Sequence, residues 1–243
     1  MVASGNLQGQ FLAGHALSDL RVRRAAVVSE TKAVSKGLAD VFHTAFTTGG
    51  GTVVERTVVA DGTTDFADAL RAIAPLRPDL LFLGGEYSVG ARFTRQAVAA
   101  GLDVPVMGGD GIKDDSYISE AGPASDGDLA STVGAPLGSL ASTEPFIDGY
   151  RAAGFTQAAT DYGPYAYDAA KVLIASSARA LRGRDRITRD IRTAIVAGVQ
   201  TTDMAGSSGR VAFDEFGDIR TKVLTLYRVE AGAWRPEKTE TIP

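Results

Sequence analysis

The run Pro78-Asp79-Leu80-Leu81-Phe82-Leu83-Gly84-Gly85 decides the fold. Four consecutive apolar residues closed by two glycines make too short a run for a helix and too apolar a run for a half-exposed strand. They describe a strand buried on both faces. The same unit recurs on either side. Upstream, Thr64 or Asp65 caps a helix in which Phe66, Leu70 and Ile73 share a face, and Pro75 and Pro78 end it. Before that, Thr52–Val59 is rich in β-branched residues and reads as a strand. It follows Gly49-Gly50-Gly51, which stop a helix over Gly37–Phe46 whose Leu38, Val41, Phe42 and Ala45 keep helical spacing. Ala25–Val28 is a short apolar strand ending at Ser29-Glu30, preceded by a helix over Leu7–Leu20. Downstream, Val89–Ala100 is a helix, and Val104–Met107 is a strand followed by Gly108-Gly109-Asp110-Gly111. Apolar strands alternating with amphipathic helices define an α/β fold: a parallel sheet flanked by helices on both faces.

After about Asp126 the texture changes. Leu129–Leu137 is strand-like. Pro145–Ala153, Tyr165–Leu181 and Arg186–Ala197 are helical, and Thr201–Gly209 is a polar Gly/Ser-rich loop. Arg210–Phe213 and Lys222–Val229 read as antiparallel strands around the turn Asp214–Asp218, and the last ten or so residues as a polar tail.

Composition excludes several classes. A formal net charge of −4 offers no general attraction to nucleic acid or anionic lipid. The densest basic stretch, Arg179–Arg192, contains Asp185 and Asp190 and fits a solvated helical face. With no cysteine, disulfides, thiolate metal sites and thiol nucleophiles are excluded. No apolar run approaches the roughly 18 residues of a membrane span. Met1–Asn6 lacks the basic start and apolar core of a signal peptide. No P-loop, nucleophile elbow or dinucleotide fingerprint is present. His15 and His43 fall on helices without partners at metal-ligand spacing, so both are expected to be structural or exposed. Neither metal nor cofactor is expected.

Open parallel sheets bind ligands beyond the carboxyl ends of their strands. The segments there are Ser29-Glu30-Thr31-Lys32, Gly84-Gly85-Glu86-Tyr87 and Gly108-Gly109-Asp110-Gly111. The candidate ligand-binding residues are therefore Asp110, Glu86, Tyr87, Gly85, Gly109 and Glu30. Glycines permit close backbone approach, Tyr87 offers an apolar wall, and the carboxylates suit an ammonium group. The same acids also fit a metal, acid–base chemistry, helix capping or plain solvation.

In the order and spacing of several segments the chain resembles the type I periplasmic binding proteins, specifically the leucine/isoleucine/valine (branched-chain amino acid) substrate-binding branch of ABC transporters. The segments are Gln8-Gly9, Arg24–Val28, Thr64-Asp65-Phe66, Pro78–Gly85, Arg95-Gln96-Ala97 with Gly101-Leu102, Pro105–Gly108, Tyr165–Ala169, and Gly209–Asp214 with Gly217-Asp218. The resemblance implies two α/β lobes clamping a ligand and closing by a hinge. It implies a non-catalytic role: binding a small amino-acid-like solute for uptake through an ABC permease, without membrane insertion. It places Asp110 against the ligand's α-ammonium. Glu86 stands where the family often has an aromatic residue, and Val34 where another aromatic falls, which points to a more polar or cationic ligand. Residues 5–125 and 210–232 correspond to lobe two, 126–209 to the returning part of lobe one, and 233–243 to a C-terminal tail. Nothing corresponds to the N-terminal part of lobe one. The resemblance thus implies a truncated chain, impaired binding, and self-association through the incomplete lobe. A full-length parent would be periplasmic. The alternatives are a ligand-sensing domain of the same fold and a flavodoxin-like enzyme using Glu86 and Asp110.

Overall fold

The apolar runs form the inner strands of a seven-stranded sheet with the order β2-β1-β3-β4-β5-β8-β9. In chain order these are β1 (Arg24–Glu30), β2 (Thr52–Val59), β3 (Leu80–Gly84), β4 (Val106–Gly108), β5 (Leu129–Val133), β8 (Lys222–Glu230) and β9 (Ala233–Ile242). A separate two-stranded sheet pairs β6 (Asp203–Gly206) with β7 (Gly209–Ala212). The computed structural model describes residues 2–242.

Strands β2, β1, β3, β4 and β5 run parallel. All five residues of β3 are buried, as are the last six of β1. That is the pattern of strands covered on both faces. The edge strand β2 is only half-buried and tends to alternate. The helices that cover the sheet are α1 (Gly5–Ser18), α2 (Ala33–Thr48), α3 (Ala67–Ile73), α4 (Tyr87–Ala99) and α5 (Asp115–Ala121). On one side Phe42 of α2 stacks on Phe82 of β3, with ring centroids 3.8 Å apart, and on Phe46 at 5.4 Å. A contiguous core including Leu81, Leu83, Phe93, Val106 and Tyr117 is joined by Phe66, whose ring meets Phe93 edge-on at 5.2 Å. Burying rings of this size stabilises each by about 1.5–3 kcal/mol.

Strand β8 runs antiparallel to β5, since Val229 bonds residues 127 and 128 while Val223 accepts from Gly134. It turns into β9 through Ala231 (φ 51°) and Gly232 (φ 74°). Two successive positive φ values are the geometry of a tight hairpin turn. The C-terminal stretch is therefore a strand, not the tail its polarity suggests. Arg228 on β8 grips Glu237 on β9 at 2.7 and 3.1 Å, and Thr225 meets Thr239 at 3.1 Å.

The chain divides into two compact units, residues 4–132 with 225–239, and residues 133–224 with the described residues of both termini. These boundaries fall later than 125/126 and 209/210. β5 belongs to the parallel sheet and keeps the chain there through Thr132. β7 pairs with β6 rather than with β8, which holds residues 209–212 in the second unit. The segment Thr201–Gly209, expected as a loop, supplies β6. The turn Asp214–Asp218 is confirmed: the Asp214 carboxylate accepts from the N–H groups of Phe216 and Asp218, and an isolated Phe213–Ile219 bridge closes it. The second unit also contains α6 (Glu144–Ala152), α7 (Gly163–Ala180) and α8 (Arg189–Gln200). Its core is small: Val172, Val211, Phe213 and Ile219, with Val199 and Met204 beside them.

Candidate functional site

The registers of the first unit align the strand ends that carry the candidate residues. Ser29 pairs with Gly84, and Leu83 with Gly108. The segments after β1, β3 and β4 therefore lie side by side on the carboxyl edge of the sheet, as the order of residues implied.

The candidate residues play different parts there. Asp110 is exposed and opens a short 3-10 turn, Asp110–Ile112. Glu86 is the N-cap of α4, and its Oε1 lies 3.5 Å from Nζ of Lys32. Both side chains are about half-exposed, so this ion pair contributes little to stability. It does place one positive and one negative group together on the rim. Tyr87 begins α4 and is half-buried, packed against the main core. Val34, in the first turn of α2, is 85% exposed.

Glu30, expected among the ligand-binding residues, turns inward. It is fully buried, and both carboxylate oxygens accept backbone N–H groups, Gly62 at 3.0 Å and Glu86 at 2.9 Å. Asp61 answers from the next loop: its Oδ1 accepts from the Thr31 hydroxyl at 2.7 Å and from the Lys32 N–H at 3.0 Å. Two carboxylates thus lace together the loops after β1, β2 and β3. The sequence places Lys32 in the segment after β1, but neither it nor Asp61 is among the candidate residues. In the sequence Asp61-Gly62 reads as a turn, and an Asp at a turn commonly accepts nearby backbone N–H groups.

The glycines let the loops approach one another. A Cβ on Gly111 would lie 2.5 Å from the carbonyl oxygen of Gly85, and one on Gly109 would lie 2.5 Å from a methyl of Leu38. At Gly85 the nearest group is Glu30 Oε2, 3.1 Å from an added Cβ. The sequence reading expected these glycines to let backbone approach a ligand. The partner described here is the protein itself.

Other polar groups lie away from this rim. At the opposite edge, buried Asp128 precedes β5 and accepts from Val106 N–H (2.7 Å), Tyr117 hydroxyl (2.5 Å) and Thr94 hydroxyl (3.3 Å). Burial pushes the Asp128 carboxyl up to about 7, with nearby Asp126 raising it further and the three donors pulling the other way. Burial and the Asp128 charge also push the Tyr117 phenol well up. His15 is buried in α1, with Nδ1 2.7 Å from Asp19 and Nε2 3.5 Å from Glu237 on β9. That position is structural, as its place on a helix suggested. In the second unit buried Asp168 accepts from the N–H groups of Ser207 (2.9 Å) and Ser208 (2.7 Å) and from the Ser208 hydroxyl (2.7 Å). It ties α7 to the β6–β7 turn. Among the described residues no helix is long and apolar enough to cross a membrane.

The first unit is thus an α/β domain whose parallel sheet carries a laced, charged rim at its carboxyl edge. The chain belongs to the periplasmic binding protein family, whose family model matches residues 3–233. It is 26% identical over 229 residues to a Leu/Ile/Val-binding protein of Rhizobium johnstonii, covering 93% of this chain and 59% of that protein. A Leu/Ile/Val-binding protein homologue of Brucella melitensis is 30% identical over 122 residues, 50% of this chain and 33% of that protein. Among solved structures, a leucine-binding protein of Thermotoga maritima superposes with a TM-score of 0.81 at 27% identity, covering 97% of this chain and 65% of its own. The chain thus spans about three-fifths of the length of the first relative. The family is one of solute-binding proteins, not of enzymes, which removes the flavodoxin-like enzyme reading.

Proposed function

We propose that this chain binds a small amino-acid-like solute, non-catalytically, as the substrate-binding component of an ABC transporter. The observation that carries the reading is the rim of the first unit: Asp110 stands exposed on a strand-end loop held in place by backbone contacts, beside the Lys32–Glu86 pair. An exposed carboxylate on a rigid loop suits the α-ammonium of an amino acid, because a charge-assisted hydrogen bond gains most when its acceptor needs no reordering. The relatives' names, Leu/Ile/Val-binding and leucine-binding, support the solute class. The ion pair at Glu86 favours a polar or cationic end on that solute over a plain aliphatic one. In this reading residues 4–132 with 225–239 correspond to lobe two of the family and the second unit to part of lobe one.

The test is a thermal-shift panel of L-amino acids including leucine and arginine. A ligand present at 100 times its Kd stabilises the folded state by about 2.7 kcal/mol. The expected result is a raised melting temperature that disappears in Asp110→Ala. No shift with any amino acid rejects the solute class, and a larger shift with leucine than with arginine rejects the polar preference.

The second unit supports self-association as part of the same proposal. Ile174 and Leu173 on α7 are 68% and 53% exposed, and Val196 on α8 is 67% exposed. Exposed aliphatic side chains grouped on helices favour contact between copies. Light scattering is expected to give a mass above that of one chain, falling toward one chain in Leu173→Ser/Ile174→Ser. A single-chain mass at all concentrations rejects association.

A further inference from the structure

We infer that Glu30 is a positioning residue for the candidate rim, rather than a group that touches the ligand: its buried carboxylate fixes the loop after β3, and that loop in turn seats the loop that carries Asp110. The inference rests on the rim being the binding surface, as proposed above, but its geometry does not depend on which solute binds.

The connection runs through backbone contacts. Glu30 closes β1 and is fully buried, so a ligand reaching the rim does not meet its oxygens. Each oxygen is taken by an N–H of a different loop, Gly62 after β2 and Glu86 after β3. A carboxylate is suited to this task because it is acceptor-only and meets two donors with two oxygens. A glutamine has one carbonyl oxygen, and its amide would face the second N–H donor to donor. Asp61 returns the connection through Thr31 and Lys32, so the loop bearing Lys32 is tied at both ends. Gly85, next to Glu86 and against Glu30 Oε2, then presents its carbonyl oxygen to Gly111, the residue after Asp110. At 2.5 Å from an ideal Cβ, that contact exists only because residue 111 is glycine. The path is Glu30 to Gly85-Glu86, and Gly85 to Gly111 beside Asp110. A carboxylate held in this way keeps the aim of another that lies two loops away.

The inference is tested on the intact chain, without ligand, by amide hydrogen exchange of wild type, Glu30→Gln and Gly111→Ala. In Glu30→Gln, exchange is expected to rise about tenfold or more at Gly62 and Glu86, whose acceptor is altered. It is also expected to rise across 109–113, while β9 and the end of α1 keep wild-type protection. Acceleration confined to Gly62 and Glu86 overturns the inference. Gly111→Ala loses no hydrogen bond, so it tests the second contact independently and serves if Glu30→Gln does not fold. It is expected to loosen 85–87 and 109–113 and leave Gly62 protected; unmoved 85–87 overturns the relay. Because no ligand is needed, a wild-type chain that binds no amino acid rejects the proposed solute class and leaves this result readable by itself.

Discussion

The two units spend their apolar residues in opposite ways. In the first, β3 buries every side chain, and the core around it is continuous from Phe66 through Phe93 to Tyr117. In the second, α7 buries Pro164, Asp168, Val172 and Ser176, a stripe at four-residue spacing that is half polar, while Leu173 and Ile174 face outward. A helix normally turns its aliphatic stripe to the core. Here one buried carboxylate and a few apolar contacts hold the helix to the β6–β7 hairpin. The lesson is that the first unit is held by packing and the second by a polar tie. They should therefore fail under different perturbations.

The largest effect expected is from Phe82→Ala, which removes the ring stacked on Phe42 at the centre of the sheet. Urea unfolding should show a loss of about 3–5 kcal/mol, with the transition of the first unit moving and that of the second unchanged. If both transitions move together, the units are not separately held and the comparison fails.

The next effect concerns pH. The Asp128 carboxyl is held near 7 when folded, against 3.8 as its ordinary value. The folded state therefore holds its proton more tightly than the unfolded chain does. The stabilisation is fully present below pH 3.8 and is lost as pH rises to about 7. At about 1.4 kcal/mol per unit, the span is on the order of 4 kcal/mol. Asp128→Asn preserves the shape of the neutral acid and should flatten the urea midpoint of the first unit across pH 4–7. An unchanged slope would show that the carboxyl titrates normally.

A smaller effect, confined to the second unit, should follow Asp168→Ala. The three bonds to Ser207 and Ser208 disappear. A loss of about 2–3 kcal/mol is expected from the unsatisfied donors. Hydrogen exchange should rise in α7, β6 and β7 and nowhere in β1 or β3. Wild-type protection in the hairpin would mean that packing, not the polar tie, secures this unit.

What the sequence made legible follows the same division. β1, β3 and the helices around them could be found because burial on both faces leaves uninterrupted apolar runs such as Leu80–Leu83. β6 and β9 could not. Asp203–Gly206 lies in a Gly/Ser-rich stretch, and β9 carries Pro236 among Arg235, Glu237 and Lys238, with only Trp234 buried. A strand exposed over most of its length has little hydrophobic pattern to show. At the rim, sequence placed Glu30, Glu86 and Asp110 at the correct strand ends. It could not distinguish a carboxylate turned inward onto backbone N–H groups from one turned outward, since both follow a strand with the same spacing.

Strand β9 also carries a consequence for the life of the chain in a crowded solution. Without it, β8 would present Leu224 to Val229, a run buried throughout apart from Arg228, as an open row of unpaired N–H and C=O groups. Such a row is a template on which another copy can add a strand, and then another. A proline has no N–H to offer, and charges resist stacking like on like. The polar, proline-bearing strand β9 covers that row, and a chain cut before Ala233 is expected to aggregate, which light scattering beside the intact chain would show.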